Sequence, residues 1–147
     1  MLQQTFQTSS AQQTQALVPK LMDSVQSNVL ALVGDLGSGK TTFTQAIGEY
    51  FDIQTPVTSP TFLIMKSYSI TNHTRYKKLI HLDLYRISSW EEVAELGITE
   101  WWNDPTSLIV IEWAERIMDH LPENTTVVTF EYKSKDSREI TVSTRQF

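Results

Sequence analysis

Val29-Leu30-Ala31-Leu32-Val33-Gly34-Asp35-Leu36-Gly37-Ser38-Gly39-Lys40-Thr41, continuing into Thr42-Phe43-Thr44-Gln45-Ala46-Ile47-Gly48-Glu49-Tyr50-Phe51, is the stretch that decides the fold. Val29 to Val33 is a short apolar, partly β-branched run, as a buried strand requires. After Thr41, apolar residues fall at Phe43, Ala46, Ile47, Tyr50 and Phe51, which is helical spacing. Between them, Gly34 to Thr41 fits G-x-x-x-x-G-K-[ST], the phosphate-binding loop of nucleoside triphosphatases. Gly34, Gly37 and Gly39 let the backbone turn tightly and bring its N–H groups near phosphate oxygens. The loop feeds a helix N-terminus, which favours an anion. In such a loop Lys40 reaches the β- and γ-phosphates, and the Thr41 hydroxyl binds Mg²⁺.

A triphosphatase needs a further acidic group to hold the metal or orient water. Leu79-Ile80-His81-Leu82-Asp83 and Leu108-Ile109-Val110-Ile111-Glu112 both end in a carboxylate. The second is apolar throughout, like a central parallel strand whose carboxyl end faces a ligand crevice. The first alternates and runs on into Leu84-Tyr85-Arg86, like an antiparallel strand crossing the site. This pattern favours Glu112 as the metal-side carboxylate and Asp83 as its partner on water or Mg²⁺. Thr58-Ser59-Pro60-Thr61 offers hydroxyls between the loop helix and the next strand. A nucleotide-sensing switch and a simple Ser-Pro turn both fit it. His81 reads as a structural histidine, and Trp101, Trp102 and Trp113 as packing or interface aromatics. No N-K-x-D segment is present to read guanine, so ATP is favoured.

The chain has 147 residues, no cysteine and a net charge of −5. The length suits one domain spanning residues 1–147. No disulfide or thiolate nucleophile is possible, and the acidic balance argues against an extensive direct grip on nucleic-acid phosphates. No run is long enough for a membrane helix, and the N-terminus lacks a signal-peptide pattern. The expected location is cytoplasmic. Ser9 or Ser10 is positioned to cap a first helix that carries Leu17, Val18, Leu21, Met22 and Val25, with a kink or restart near Pro19. Thr61 to Tyr68 and Lys78 to Arg86 read as a hairpin. Ser89 and Glu92 open a helix that stops near Gly97, Ile98 to Trp102 fits a short helical turn, and Ala114 to Leu121 fits a short helix. Thr126 to Tyr132 and Glu139 to Arg145 read as a C-terminal hairpin. The sum is an α/β domain with a parallel core around the phosphate loop, antiparallel strands added and helices on both faces.

The loop, Ser59-Pro60-Thr61-Phe62, His81-Leu82-Asp83-Leu84-Tyr85-Arg86, Glu95-Leu96-Gly97-Ile98 and Ile111-Glu112-Trp113 occur in this order. Together they resemble the TsaE (formerly YjeE) family, small bacterial ATPases of tRNA threonylcarbamoyladenosine synthesis. The resemblance spans nearly the whole chain. It implies a P-loop NTPase-like sheet and Mg²⁺-dependent ATP hydrolysis. It also implies work with TsaB and TsaD, which modify the adenosine beside the anticodon of tRNAs that read codons starting with A. Contact with tRNA would come through that complex. The resemblance places nucleotide contacts on the loop at Asp35, Leu36, Gly37, Ser38, Gly39, Lys40, Thr41 and Thr42, with Ser10 and Arg138 at its border. It makes Thr41 and Glu112 the metal ligands, Asp83 a residue needed for hydrolysis and Thr61 part of a switch. The phosphate loop alone also permits a small-molecule kinase, or a nucleotide-gated binding module with negligible turnover.

Overall fold

A computed structural model describes residues 3–58 and 64–145. In chain order the elements are β1 (Gln4–Thr8), α1 (Ala11–Gln15), α2 (Leu17–Ser24), β2 (Val29–Gly34), α3 (Lys40–Tyr50), β3 (Met65–Ser69) and β4 (Lys78–Asp83). Next come α4 (Trp90–Ala94), α5 (Thr99–Trp102), β5 (Ser107–Glu112), a 3₁₀ segment (Ala114–His120), β6 (Thr126–Tyr132) and β7 (Arg138–Thr144). The strands form one seven-stranded sheet in the order β1-β7-β6-β2-β5-β4-β3. β6, β2, β5 and β4 are mutually parallel, while β7 and β3 join antiparallel on either side. The parallel core with added antiparallel strands is the architecture read from the sequence.

Both faces of the sheet are covered, so Val29 to Val33 of β2 and Leu108 to Ile111 of β5 are apolar in every position. Leu30, Leu32, Leu79, Leu108, Val110 and Val128 face Val18 and Leu21 of α2 and Phe43, Ala46 and Ile47 of α3. Val29, Ala31, Ile80, Leu82, Ile109 and Ile111 pack instead with Val93, Ile98, Ala114 and Ile117. Two full faces explain why β2 and β5 read as continuous apolar runs rather than alternating ones. Phe43 is fully buried and meets Phe130 edge-on at 5.3 Å, which anchors α3 to β6. Burying a side chain of that size contributes about 1.5–3 kcal/mol.

The structure departs from the sequence reading in two places, at β1 and at β4. β1 was not expected, because Gln4-Thr5-Phe6-Gln7-Thr8 has one apolar residue and no visible period of two. It forms because β7 offers a free edge, and the pairing runs from Gln4 opposite Val142 to Thr8 opposite Arg138. The restart expected near Pro19 is found: the first helix is two helices that break at Ala16, so Pro19 lies in the first turn of α2, where its missing N–H costs little. β4 is parallel to β5 and ends at Asp83. It does not cross the site as an antiparallel strand through Tyr85 and Arg86, since Asp83 accepts the Tyr85 N–H at 3.1 Å and turns the chain. The β3–β4 hairpin, the helix opened by Ser89 and Glu92 and the C-terminal hairpin form as expected. Among the described residues, no helix is long and apolar enough to cross a membrane.

Gly34 ends β2 with φ +153°, and a Cβ there would lie 2.6 Å from the Phe130 carbonyl oxygen. The close β2–β6 approach at Gly34–Phe130 therefore needs glycine. Gly34→Ala should destabilise the protein by about 2 kcal/mol. In urea unfolding the midpoint falls while the slope is unchanged; an unaltered midpoint would show that β6 yields at this point.

Candidate functional site

Parallel strands end together, and here their ends form the floor of a cleft. β2 delivers Gly34, β5 delivers Glu112 in register with Leu32, and β4 delivers Asp83 in register with Glu112. The chain leaves β2 through Asp35 to Gly39 and enters α3 at Lys40. Gly39 caps that helix at φ 112°, a left-handed conformation that aims the first-turn N–H groups into the cleft. The cleft holds about 410 Å³ and is lined by Ser10, Leu36 to Thr42, Asp83, Glu112 and Arg138, among others. Asp35 is not among the lining residues. It supplies its carbonyl to the Ser38 N–H at 3.1 Å and to Lys40 Nζ at 3.0 Å. Thr61 lies outside the described residues, as do Ser59 and Pro60.

Lys40 is 5% exposed and donates to the Gly34 and Asp35 carbonyls of its own loop. Burial pushes its ammonium below the ordinary 10.5, against the raising pull of Glu115, Glu112, Asp35 and Asp83. Its Nζ also lies 3.9 Å from the centre of the Trp113 ring. Trp113 reaches that place by adopting φ 60° and ψ 39°, a left-handed conformation that costs a bulky residue about 1–2 kcal/mol. The sequence reading treated Trp113 as a packing aromatic, yet it lines the cleft with Tyr85, whose ring is 5.1 Å away. The available signal was its position immediately after the carboxyl end of a parallel strand.

Glu112 is 2% exposed and is held from two sides. The Thr41 hydroxyl donates to Oε1 at 2.8 Å, and His81 Nε2 lies 2.6 Å from Oε2. An ionised carboxylate only accepts, so the His81 proton sits on Nε2. Thr41 and Glu112, read from the sequence as metal ligands, are thus in contact. Hard oxygen donors at a phosphate-binding loop suit Mg²⁺, which takes one or two carboxylates and completes its shell with phosphates and water. Among the described residues no three His, Asp or Glu side chains converge to cage a metal by themselves.

Arg138 stands at the other wall. Its guanidinium donates to the Ser38 carbonyl at 3.1 Å and the Gly37 carbonyl at 3.1 Å, and to Ser134 and Ser137 of its own hairpin turn. Its aliphatic and π faces lie against Tyr132, 4.6 Å from the ring centre. Arg138 therefore ties the β6–β7 hairpin to the phosphate loop, and Lys135 and Asp136 of the turn overhang the cleft. Ser10 caps α1 by accepting the Gln13 N–H at 3.1 Å and borders the same opening. Arg138→Ala should free the loop carbonyls, cost about 1 kcal/mol of stability and speed amide exchange at Gly37 to Gly39. Arg138→Lys should not restore protection, because one ammonium cannot span both carbonyls and the turn. Unchanged exchange in Arg138→Ala would mean that the loop is rigid without the clamp.

Comparison with known proteins gives one consistent answer. The family model described as "Threonylcarbamoyl adenosine biosynthesis protein TsaE" matches residues 8–140. Three relatives, each titled "tRNA threonylcarbamoyladenosine biosynthesis protein TsaE", align over much of the chain. That of Rickettsia conorii is 43% identical over 77% of this chain, and the match spans 62% of its own length, less than two thirds. That of Treponema pallidum is 36% identical, covering 80% of this chain and 83% of its own. That of Bacillus subtilis is 35% identical, covering 96% and 85%. The crystal structure of Bacillus subtilis YdiB superposes with a TM-score of 0.76 at 28% identity, over 97% of this chain and 86% of that one. The chain belongs to the TsaE family.

Proposed function

We propose that this protein is a Mg²⁺-dependent ATPase that serves tRNA threonylcarbamoyladenosine synthesis, acting in the cytoplasm with TsaB and TsaD. The observation that carries the proposal is the convergence of Lys40, Thr41, Glu112 and Asp83 on one cleft at the ends of the parallel strands. The names of the relatives supply the pathway. A net charge of −5 favours meeting tRNA through partner proteins rather than by an extensive basic face of this chain.

Each residue has a task that its surroundings suit. The N–H groups of the loop and of the first turn of α3 bind the phosphates. Lys40 exchanges the loop carbonyls for phosphate oxygens, a stronger charge-assisted contact. Thr41 and Glu112 would hold Mg²⁺, which would supply neutralisation of the phosphate charge. Asp83, beside Glu112 in register, orients the attacking water and accepts its proton as the water oxygen bonds to the γ-phosphorus and the bond to the β–γ bridging oxygen breaks. Trp113 and Tyr85 shield this side of the cleft from bulk water. Thr61, on the segment between α3 and β3, is the proposed γ-phosphate sensor.

Phosphate release from ATP, measured for the protein alone and with TsaB and TsaD, tests the reading. Lys40→Ala should weaken nucleotide binding about tenfold or more. Glu112→Ala should lower Mg²⁺-dependent hydrolysis roughly 100-fold while retaining most nucleotide affinity. Asp83→Asn should do the same without changing the Mg²⁺ requirement. Wild-type turnover by Glu112→Ala in the presence of both partners would overturn the assignment.

A further inference from the structure

We infer that His81 is a positioning residue for the metal site, fixing the Glu112 carboxylate in the orientation that leaves one oxygen for the cation. The inference rests on the reading of Glu112 as a Mg²⁺ ligand and adds a residue read from the chain as a structural histidine.

Three observations lead to it. First, the strand register puts the two groups on one face. His81 pairs with Val110, Glu112 follows two residues along β5, and Asp83 pairs with Glu112. His81, Asp83 and Glu112 therefore project from the sheet face that α3 covers, while Ile80, Leu82 and Ile111 project into the opposite core. On β4 and β5 the polar residues of this face come only toward the carboxyl ends, after Leu79 and after Val110.

Second, the contact is buried and divides the carboxylate. His81 is 0% exposed and Glu112 2%, so water does not compete for their 2.6 Å hydrogen bond. It occupies Oε2, while Oε1 faces Thr41 at 2.8 Å. One oxygen is taken by the protein interior and the other is turned to the loop. A carboxylate on three rotatable bonds would otherwise sample orientations that present either oxygen or neither.

Third, the ring has no other polar engagement. Among the described residues, His81 Nδ1 is buried without a hydrogen-bond partner. A histidine kept only for packing gains nothing over leucine here, and leaving a buried ring nitrogen bare has a cost. The bond to Glu112 is what that cost secures. Ligands held by such outer contacts typically lose 10–100-fold in metal affinity when the contact is removed.

The test uses Mn²⁺ as probe, with free Mn²⁺ measured by electron paramagnetic resonance on the ADP-bound protein, and ADP affinity measured separately in EDTA. His81→Leu should weaken Mn²⁺ binding about tenfold and leave ADP affinity in EDTA unchanged. His81→Gln, whose amide nitrogen reaches as far as ring Nε2, should restore binding to within about threefold. His81→Asn, whose amide falls short of Glu112, should behave like His81→Leu and replaces it if that variant does not fold. Wild-type Mn²⁺ affinity in His81→Leu or His81→Asn overturns the inference, as does equal loss in His81→Gln and His81→Asn. Glu112→Gln separates the levels. If it weakens Mn²⁺ while the His81 variants do not, only the role of His81 is wrong. If it binds Mn²⁺ like wild type, the reading of Glu112 fails and the inference falls with it.

Discussion

Parallel pairing of β2 with β5 and of β5 with β4 is the constraint on which the rest depends. It stops three strands at one level, with Leu32 opposite Glu112 and Glu112 opposite Asp83. Helix α3 begins just above that level, because the loop after Gly34 can turn only at its glycines. An anion-favouring helix end therefore meets two carboxylates, Glu112 and Asp83. Moving β5 by one residue relative to β2 would send Glu112 to the opposite face, among Ala31, Ile80 and Leu82.

The same geometry concentrates charge where burial is costly. Lys40 and Glu112 are both nearly inaccessible, and neither has a simple surface partner. Lys40 is met by two loop carbonyls, the face of Trp113 and four acidic groups at longer range. Glu112 is met by Thr41 and His81. These contacts satisfy the charges without neutralising them in a tight pair, so each keeps its capacity to bind something else. The left-handed Trp113 and the close Gly34–Phe130 approach are further costs, and both lie at the cleft. Strain and buried charge gathered at one opening are the physical mark of a site shaped for a ligand.

Much of this was legible in the chain because local rules agreed with the global fold. The apolar run before Gly34, the glycines of the loop and the periodicity after Thr41 identify β2, the loop and α3 without reference to any other segment. The uniform Leu108 to Ile111 run is legible for the same reason, since a strand covered on both faces must be apolar throughout. β1 was illegible because an edge strand takes its stability from the backbone of its neighbour, and Gln4 to Thr8 carries no pattern of its own. β4 misled because its alternation and its run into Leu84-Tyr85-Arg86 were read as an antiparallel strand. The alternating polar positions are His81, buried against Glu112, and Asp83, which lines the cleft.

By itself, the sequence determined that a phosphate-binding loop joins a buried strand to a helix, and that Glu112 and Asp83 end apolar strands. Those features depend on residues adjacent in the chain. Only the tertiary structure decided that the Glu112 carboxylate lies between Thr41 and His81, that Trp113 covers Lys40, and that Arg138 clamps the loop to the C-terminal hairpin. Each of these contacts joins segments brought together by strand order and register. Strand order is set by how the two apolar faces of the sheet are covered, which is a property of the whole chain and not of any window within it.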